Sequence, residues 1–188
     1  MDIYARIREL ALHGLFFEAG YLNVDSLRFY PEVRRICEGN ACRCYGATWA
    51  CPPATGTIDE CRERVARYRG MLLFSGRYEL EDSFDFEGMT RALRSFKDVV
   101  DAFDRRVAAL MDDYLLLSNE GCLRCASCTY PDAPSRFPQK LHPALEGFGF
   151  IVSELAREAG ICYNSGANTV TYFGALLFDP RANASMRA

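Results

Sequence analysis

Apolar residues first recur at helical spacing at Ile3, Ile7, Leu10 and Ala11, which predicts a short amphipathic opening helix; Tyr30 to Ile36 reads as a second. Between Cys37 and Gly56 the periodicity disappears while Gly39, Gly46, Pro52, Pro53 and Gly56 punctuate the chain. That stretch is predicted to be an ordered loop whose shape comes from something other than regular backbone pairing, and a bound metal would supply it. Thr57 followed by Glu60 is a capping-box pattern ahead of Ile58, Cys61, Val65 and Tyr68, so a helix starts there with Cys61 on its apolar face, and Gly70 ends it. Met71 to Ser75 is a short apolar run suited to a buried strand. Phe86, Met89, Leu93, Phe96, Val100, Phe103, Val107 and Leu110 then mark the clearest helix in the chain. Tyr114 to Ser118 reads as a second strand, Ile151, Val152, Leu155 and Ala156 as a helix up to Gly160, and Thr169 to Phe178 as a closing strand.

This order predicts an α/β fold over residues 1–188, a single domain whose small, largely parallel sheet is joined by right-handed crossovers and flanked by helices and two cysteine-rich loops. An α+β arrangement is the alternative. With 188 residues and 49% hydrophobic content the chain can bury one core, and no repeat or low-complexity linker divides it. The formal charge of -3, without basic runs, gives no footprint for nucleic acid or an anionic membrane surface. Asp2, Arg6, Arg8, Glu9 and Glu18 interrupt the first twenty residues, unlike a signal peptide, and no later run is apolar for long enough to span a bilayer. The expectation is a cytoplasmic protein with neither nucleic acid nor membrane as partner.

Nine cysteines change the picture, since an odd number cannot pair completely within the chain and a reducing cytoplasm disfavours disulfides. They fall into groups: Cys37, Cys42, Cys44, Cys51 and Cys61, then Cys122, Cys125 and Cys128, with Cys162 alone. The second group is a C-x2-C-x2-C run. Such a run lets a tight loop point three thiolates at one polymetallic centre, as three corners of a [4Fe-4S] cube whose fourth cysteine is often remote and followed by proline. Zinc, the alternative metal, favours two separated C-x2-C pairs. Cys37, Cys42 and Cys51 either form a second centre or complete the first; Cys51, followed by Pro52 and Pro53, is the preferred fourth ligand. The competing account is a loop of thiols packed against Tyr45 and Trp49. Cys61 and Cys162 are expected to be buried for packing.

Through Cys37, Cys42, Tyr45-Gly46, Cys51-Pro52-Pro53, the triple-cysteine loop and Asn168 to Gly174, the chain resembles a family of predicted metal-binding proteins, domain of unknown function 2284. The resemblance runs from about Cys37 to Phe178. It implies metal binding through cysteine, as an iron–sulfur protein of anaerobic metabolism. The family commonly has a Cys-Arg-x-Pro step after the triple cysteine, and here Ser135, Arg136, Phe137 and Pro138 stand in its place. A serine oxygen is a poorer iron ligand than a thiolate, so one iron would be left open to water, substrate or a remote cysteine.

His13 and His142 are the only histidines and no nucleophile elbow accompanies them, so serine-type catalysis is not expected and both read as surface or supporting residues. Neither a Walker loop nor a G-x-G-x-x-G step predicts a nucleotide. Arg91, Arg94, Lys97, Asp98, Asp101 and Asp104 read as a solvated helix face, and Arg124 and Arg136 as donors to cluster sulfurs. Three functions are consistent with this: an electron-transfer or redox accessory protein with one or two [4Fe-4S] clusters and a redox protein partner, an enzyme using an open iron, or a zinc-stabilised interaction module.

Overall fold

The computed structural model describes residues 2–181. Helix α1 spans Ile3–Leu12 and leads into strand β1, Glu18–Asn23. Helix α2, Pro31–Glu38, and helix α3, Ile58–Val65, flank the first cysteine loop. Strand β2, Gly70–Glu79, is followed by the long helix α4, Phe86–Ala108, and by strand β3, Tyr114–Leu117. Helix α5, Val152–Ala159, and strand β4, Thr169–Phe178, close the chain.

Local chemistry sets several of these limits. At the start of α3 the capping box forms as the sequence predicts: Thr57 Oγ1 accepts from the Glu60 N–H at 3.2 Å, and the Glu60 carboxylate accepts from the Thr57 N–H at 2.7 Å. The helix ends at Val65, short of the predicted Gly70, which instead opens β2. Asp85 caps α4 by accepting from the Gly88 N–H at 2.7 Å, and Gly160 ends α5 in the left-handed conformation.

The four strands lie in the order β1-β2-β4-β3, and every neighbouring pair is antiparallel. This overturns the expectation of a largely parallel sheet. A helical crossover does link β2 to β3, and the two run in the same direction, but β4 inserts between them. The misreading has a physical cause in burial. Helices α1 and α4 cover one face of the sheet, packing Ile7, Ala11, Phe96, Val100 and Phe103 on Leu72, Phe74, Leu116 and Leu176. Helices α3 and α5 cover the other, packing Cys61, Val65, Leu155 and Ala156 on Met71, Leu73, Leu117, Ala175 and Leu177. Strands buried on both faces read as unbroken apolar runs, the pattern ordinarily associated with parallel sheets.

Strand β1 was not predicted, because Glu18, Gly20 and Asn23 break its apolar pattern. It forms an edge, in register with β2 from Glu18 opposite Ser75 to Asn23 opposite Gly70. Gly20 is required there: a Cβ would lie 2.1 Å from the Ala159 carbonyl oxygen, so α5 rests directly on the strand backbone. No helix of the described residues is long and apolar enough to cross a membrane.

Gly20→Ala is expected to lower stability by about 1–3 kcal/mol, because a backbone carbonyl cannot yield as a side chain can. Chemical denaturation checks this, with a fall in the transition midpoint at unchanged slope as the expected result.

Candidate metal centre

The second cysteine loop leaves the end of β3 and returns beside it. Ser118 bridges Ala144 in parallel: the Ser118 N–H donates to the Pro143 carbonyl at 2.9 Å and the Leu145 N–H to the Ser118 carbonyl at 2.8 Å. The Ala144 N–H then donates to the Ala50 carbonyl at 2.9 Å, which fastens the first cysteine loop to the same edge. Trp49 adds a clamp between the loops, donating from Nε1 to the Ala133 carbonyl at 3.1 Å and meeting Tyr130 edge-on at 4.8 Å.

The first loop has its own order, as the sequence led us to expect. The Gly46 N–H donates to the Pro52 carbonyl at 2.8 Å, and the Tyr45 N–H to Asn40 Oδ1 at 3.0 Å. From α2, Arg34 reaches the Gly56 carbonyl at 2.7 Å and also bonds the Gly147 carbonyl, tying the loop's exit to the segment before α5. Backbone and side-chain hydrogen bonds therefore supply part of the order that the sequence alone assigned to a metal.

Two adjoining cavities result. One, of about 320 Å³, is lined by Cys42, Cys44, Cys122, Cys125 and Cys128, with Ser135, Arg136 and Phe137 in the same wall. The other, of about 250 Å³, is lined by Cys37, Cys42, Cys44 and Cys51 together with Glu120 and Glu146. The triple cysteine thus lies with Cys42 of the predicted set, while Cys37 and Cys51 belong to the neighbouring cavity. All nine cysteines are free. Among the described residues no three His, Cys, Asp or Glu side chains converge on a point that would hold a single metal ion.

Cys44, absent from the predicted ligands, is the thiol that bridges the loops. A Cβ on Gly121 would stand 3.0 Å from its sulfur, so the chain beside Cys122 approaches it closely. Hydrogen bonds from the Cys51 thiol, Cys42 and the Gly121 N–H hold the Cys44 thiol below its ordinary range, whereas the same contact and burial push Cys51 up. Burial likewise pushes up Cys37 and Cys122. The sequence signal for Cys44 was its place in the first cysteine group, two residues after Cys42. Arg43 and Leu123, each following a cysteine, hold φ of 59° and 57°. Left-handed non-glycine residues cost energy, and turns of this kind gather backbone N–H groups around anionic centres, iron–sulfur sites among them.

Charge pins the second loop from below. Asp101, 5% exposed on α4, meets Arg124 at 2.8 Å, His142 at 3.4 Å and Lys140 at 3.5 Å. Arg124 also bonds Asp98 at 2.6 Å. Lys97, 3% exposed, donates to Ser118 Oγ at 3.2 Å and to the Asn119 carbonyl. The inner charges of α4 are therefore anchors for the loop, which corrects their reading as a solvated face. Arg124 turns to α4 and Arg136 donates to the Ser127 carbonyl at 2.8 Å, while both line the larger cavity. His142 supports the loop as expected, and His13 is exposed. Cys61 is fully buried, with its thiol 3.4 Å from the Thr55 carbonyl, but Cys162 is exposed, contrary to expectation.

The antiparallel sheet and its helices thus carry two clamped loops with thiol-lined cavities between them. The model of the family described as predicted metal-binding protein (DUF2284) matches residues 20–178, and the chain belongs to that family. No curated protein matches the chain, and no solved structure does.

Burial pushes the Asp101 carboxyl up, but the His142 ring beside it and the charges of Arg124 and Lys140 outweigh this and hold the group below its ordinary value. Asp101→Ala is expected to cost about 1–3 kcal/mol, since it leaves the largely buried Arg124 with only the exposed Asp98 as its partner. A depressed carboxyl stabilises the fold fully above its unfolded value, about 4, and loses that contribution as pH falls through the folded value. The stability gap between the wild type and Asp101→Asn, followed by denaturation, is accordingly expected to shrink with acidification below about pH 4.

Proposed function

We propose that this member of a metal-binding family holds a [4Fe-4S] cluster in the larger cavity and serves as an electron-transfer or redox accessory protein. The observation that carries the reading is the meeting of five thiols, two from the first loop and three from the C-x2-C-x2-C loop, around one volume of about 320 Å³. A zinc ion needs four donors about 2.3 Å from one point, whereas a cube takes thiolates spread around a larger body. Cys122, Cys125 and Cys128 would supply three ligands. Cys44 is the preferred fourth in place of Cys51, because it lines the same cavity and its sulfur lies close beside the Gly121 backbone.

A cluster held there supplies one-electron chemistry. The residues around it set the conditions for that. Gly121 N–H lowers the cost of keeping the Cys44 sulfur anionic, and the left-handed turns after Cys42 and Cys122 bring backbone dipoles toward negative charge. Leu123 and Phe137, both in the cavity wall and both exposed, leave the site near a surface that a redox protein partner can approach.

The test is anaerobic reconstitution with iron and sulfide, read by visible absorption and bound iron. Cys125→Ala and Cys44→Ser are expected to lose most of the cluster absorption, while Cys51→Ser and Cys162→Ser retain it. Loss with Cys51→Ser and full retention with Cys44→Ser would return the fourth ligand to Cys51. Zinc uptake without sulfide would overturn the cluster itself and favour a zinc-stabilised module.

A further inference from the structure

Cys51 does not line the larger cavity, yet its thiol lies against that of Cys44, which does. The loop between them explains the meeting. It is made of successive tight turns: the Ala47 N–H donates to the Cys44 carbonyl at 3.2 Å, and the Cys51 N–H to the Thr48 carbonyl at 3.4 Å. The Gly46 N–H, donating to the Pro52 carbonyl at 2.8 Å, folds the second turn back on the first, and Gly46 takes a φ of 64° that few other residues adopt. Cys44 opens the first turn and Cys51 closes the second, so both sulfurs reach the wall of the smaller cavity.

The two sulfurs differ in access. Cys51 is 6% exposed, whereas Cys44 is half-buried. A small reagent from solution therefore meets Cys44 first, and Cys51 stands behind it. An accessible thiol with a second thiol in contact is the arrangement of an attacking and a resolving cysteine. Bridging them takes little movement of the backbone, because the turns already hold the pair together. Packing alone is the other use of a buried thiol, and Cys61 shows what that looks like here. Its sulfur is directed at the carbonyls of Thr55 and Gly147, 3.4 and 3.9 Å away.

We propose that Cys44 and Cys51 are a redox-active dithiol, oxidised by a low-molecular-weight disulfide, and that their own disulfide withholds Cys44 from the larger cavity. The Cys44 thiolate attacks one sulfur of the small disulfide, which forms a mixed disulfide and expels the first small thiolate. The Cys51 thiolate then attacks the Cys44 sulfur and expels the second. Two protein thiols lose two electrons, the small disulfide is reduced to two thiols, and the protons of the protein thiols pass to the departing thiolates. Cys44 is the thiol beside Gly121, where the loops meet, so its oxidation removes the link that the first loop offers to the triple cysteine. The effect on the metal rests on Cys44 being a ligand of the larger cavity; the dithiol itself does not.

The experiment takes protein purified without oxygen and not yet given iron, incubates it with glutathione disulfide, alkylates it in denaturant and digests it with trypsin without reduction. Cleavage after Arg43 and Arg62 gives one peptide that holds Cys44, Cys51 and Cys61. Mass spectrometry is expected to find alkylation at Cys61 alone and a loss of two hydrogens across Cys44 and Cys51. Cys51→Ser is expected to stop at a glutathione adduct on Cys44, because the resolving thiol is gone. The oxidised wild type, freed of glutathione, is expected to take up little iron and sulfide and to recover that capacity after dithiothreitol. Free thiols at both positions, Cys44 joined to any other cysteine, or Cys51→Ser without the adduct would overturn the dithiol. Undiminished uptake by the disulfide form would overturn its effect on the metal: the fault lies in the gating if Cys44→Ser loses the cluster, and in the ligand assignment if Cys44→Ser keeps it.

Discussion

The site depends on one buried carboxylate. Asp101 projects from α4 to meet Arg124 inside the triple-cysteine run and Lys140 and His142 where the same loop returns to the sheet. A loop of some twenty residues with little regular structure is thereby held at both ends by one anion, at a depth where charge is not screened by solvent. The second fastening is the Ser118, Ala144 and Ala50 ladder, which brings the first cysteine loop against the second. With these two in place the thiols of both groups face shared space; without them each group is an isolated loop.

The arrangement also explains why local strain is tolerated. Arg43 and Leu123 sit in a backbone region that side chains disfavour, and Gly121 leaves room for the Cys44 sulfur. Such positions persist only where the surroundings over-determine them, and here the Trp49 clamp and the α4 ion pairs do so. The thiols are consequently positioned by protein contacts rather than solely by a ligand.

Much of the fold was legible along the chain. Among the described residues all five α-helices and three of the four strands follow from apolar spacing, and the start of α3 follows from Thr57 and Glu60. The sheet's direction was not legible, because helices on both faces erase the alternation that distinguishes antiparallel strands, and because nothing local announces that β4 slips between β2 and β3. Strand β1 was lost for a related reason, since an edge strand with a glycine under α5 has no apolar signature. For the site, the C-x2-C-x2-C spacing carried the triple cysteine, but only tertiary structure could bring Cys44 beside Gly121 and separate Cys51 into the next cavity. The anchoring of Lys97 and Asp101 was equally hidden, since a charged residue on a helix gives no sign in sequence of what packs over it.

The central claim is that the thiols of the larger cavity hold one polynuclear iron–sulfur cluster. The most direct measurement is iron, acid-labile sulfide and zinc per chain on protein purified without oxygen, taken with the EPR spectrum of the reduced protein. The account predicts iron and sulfide near about four each, the content of a single cube, with the EPR signal of a reduced cluster. Stoichiometric zinc with no sulfide would contradict it.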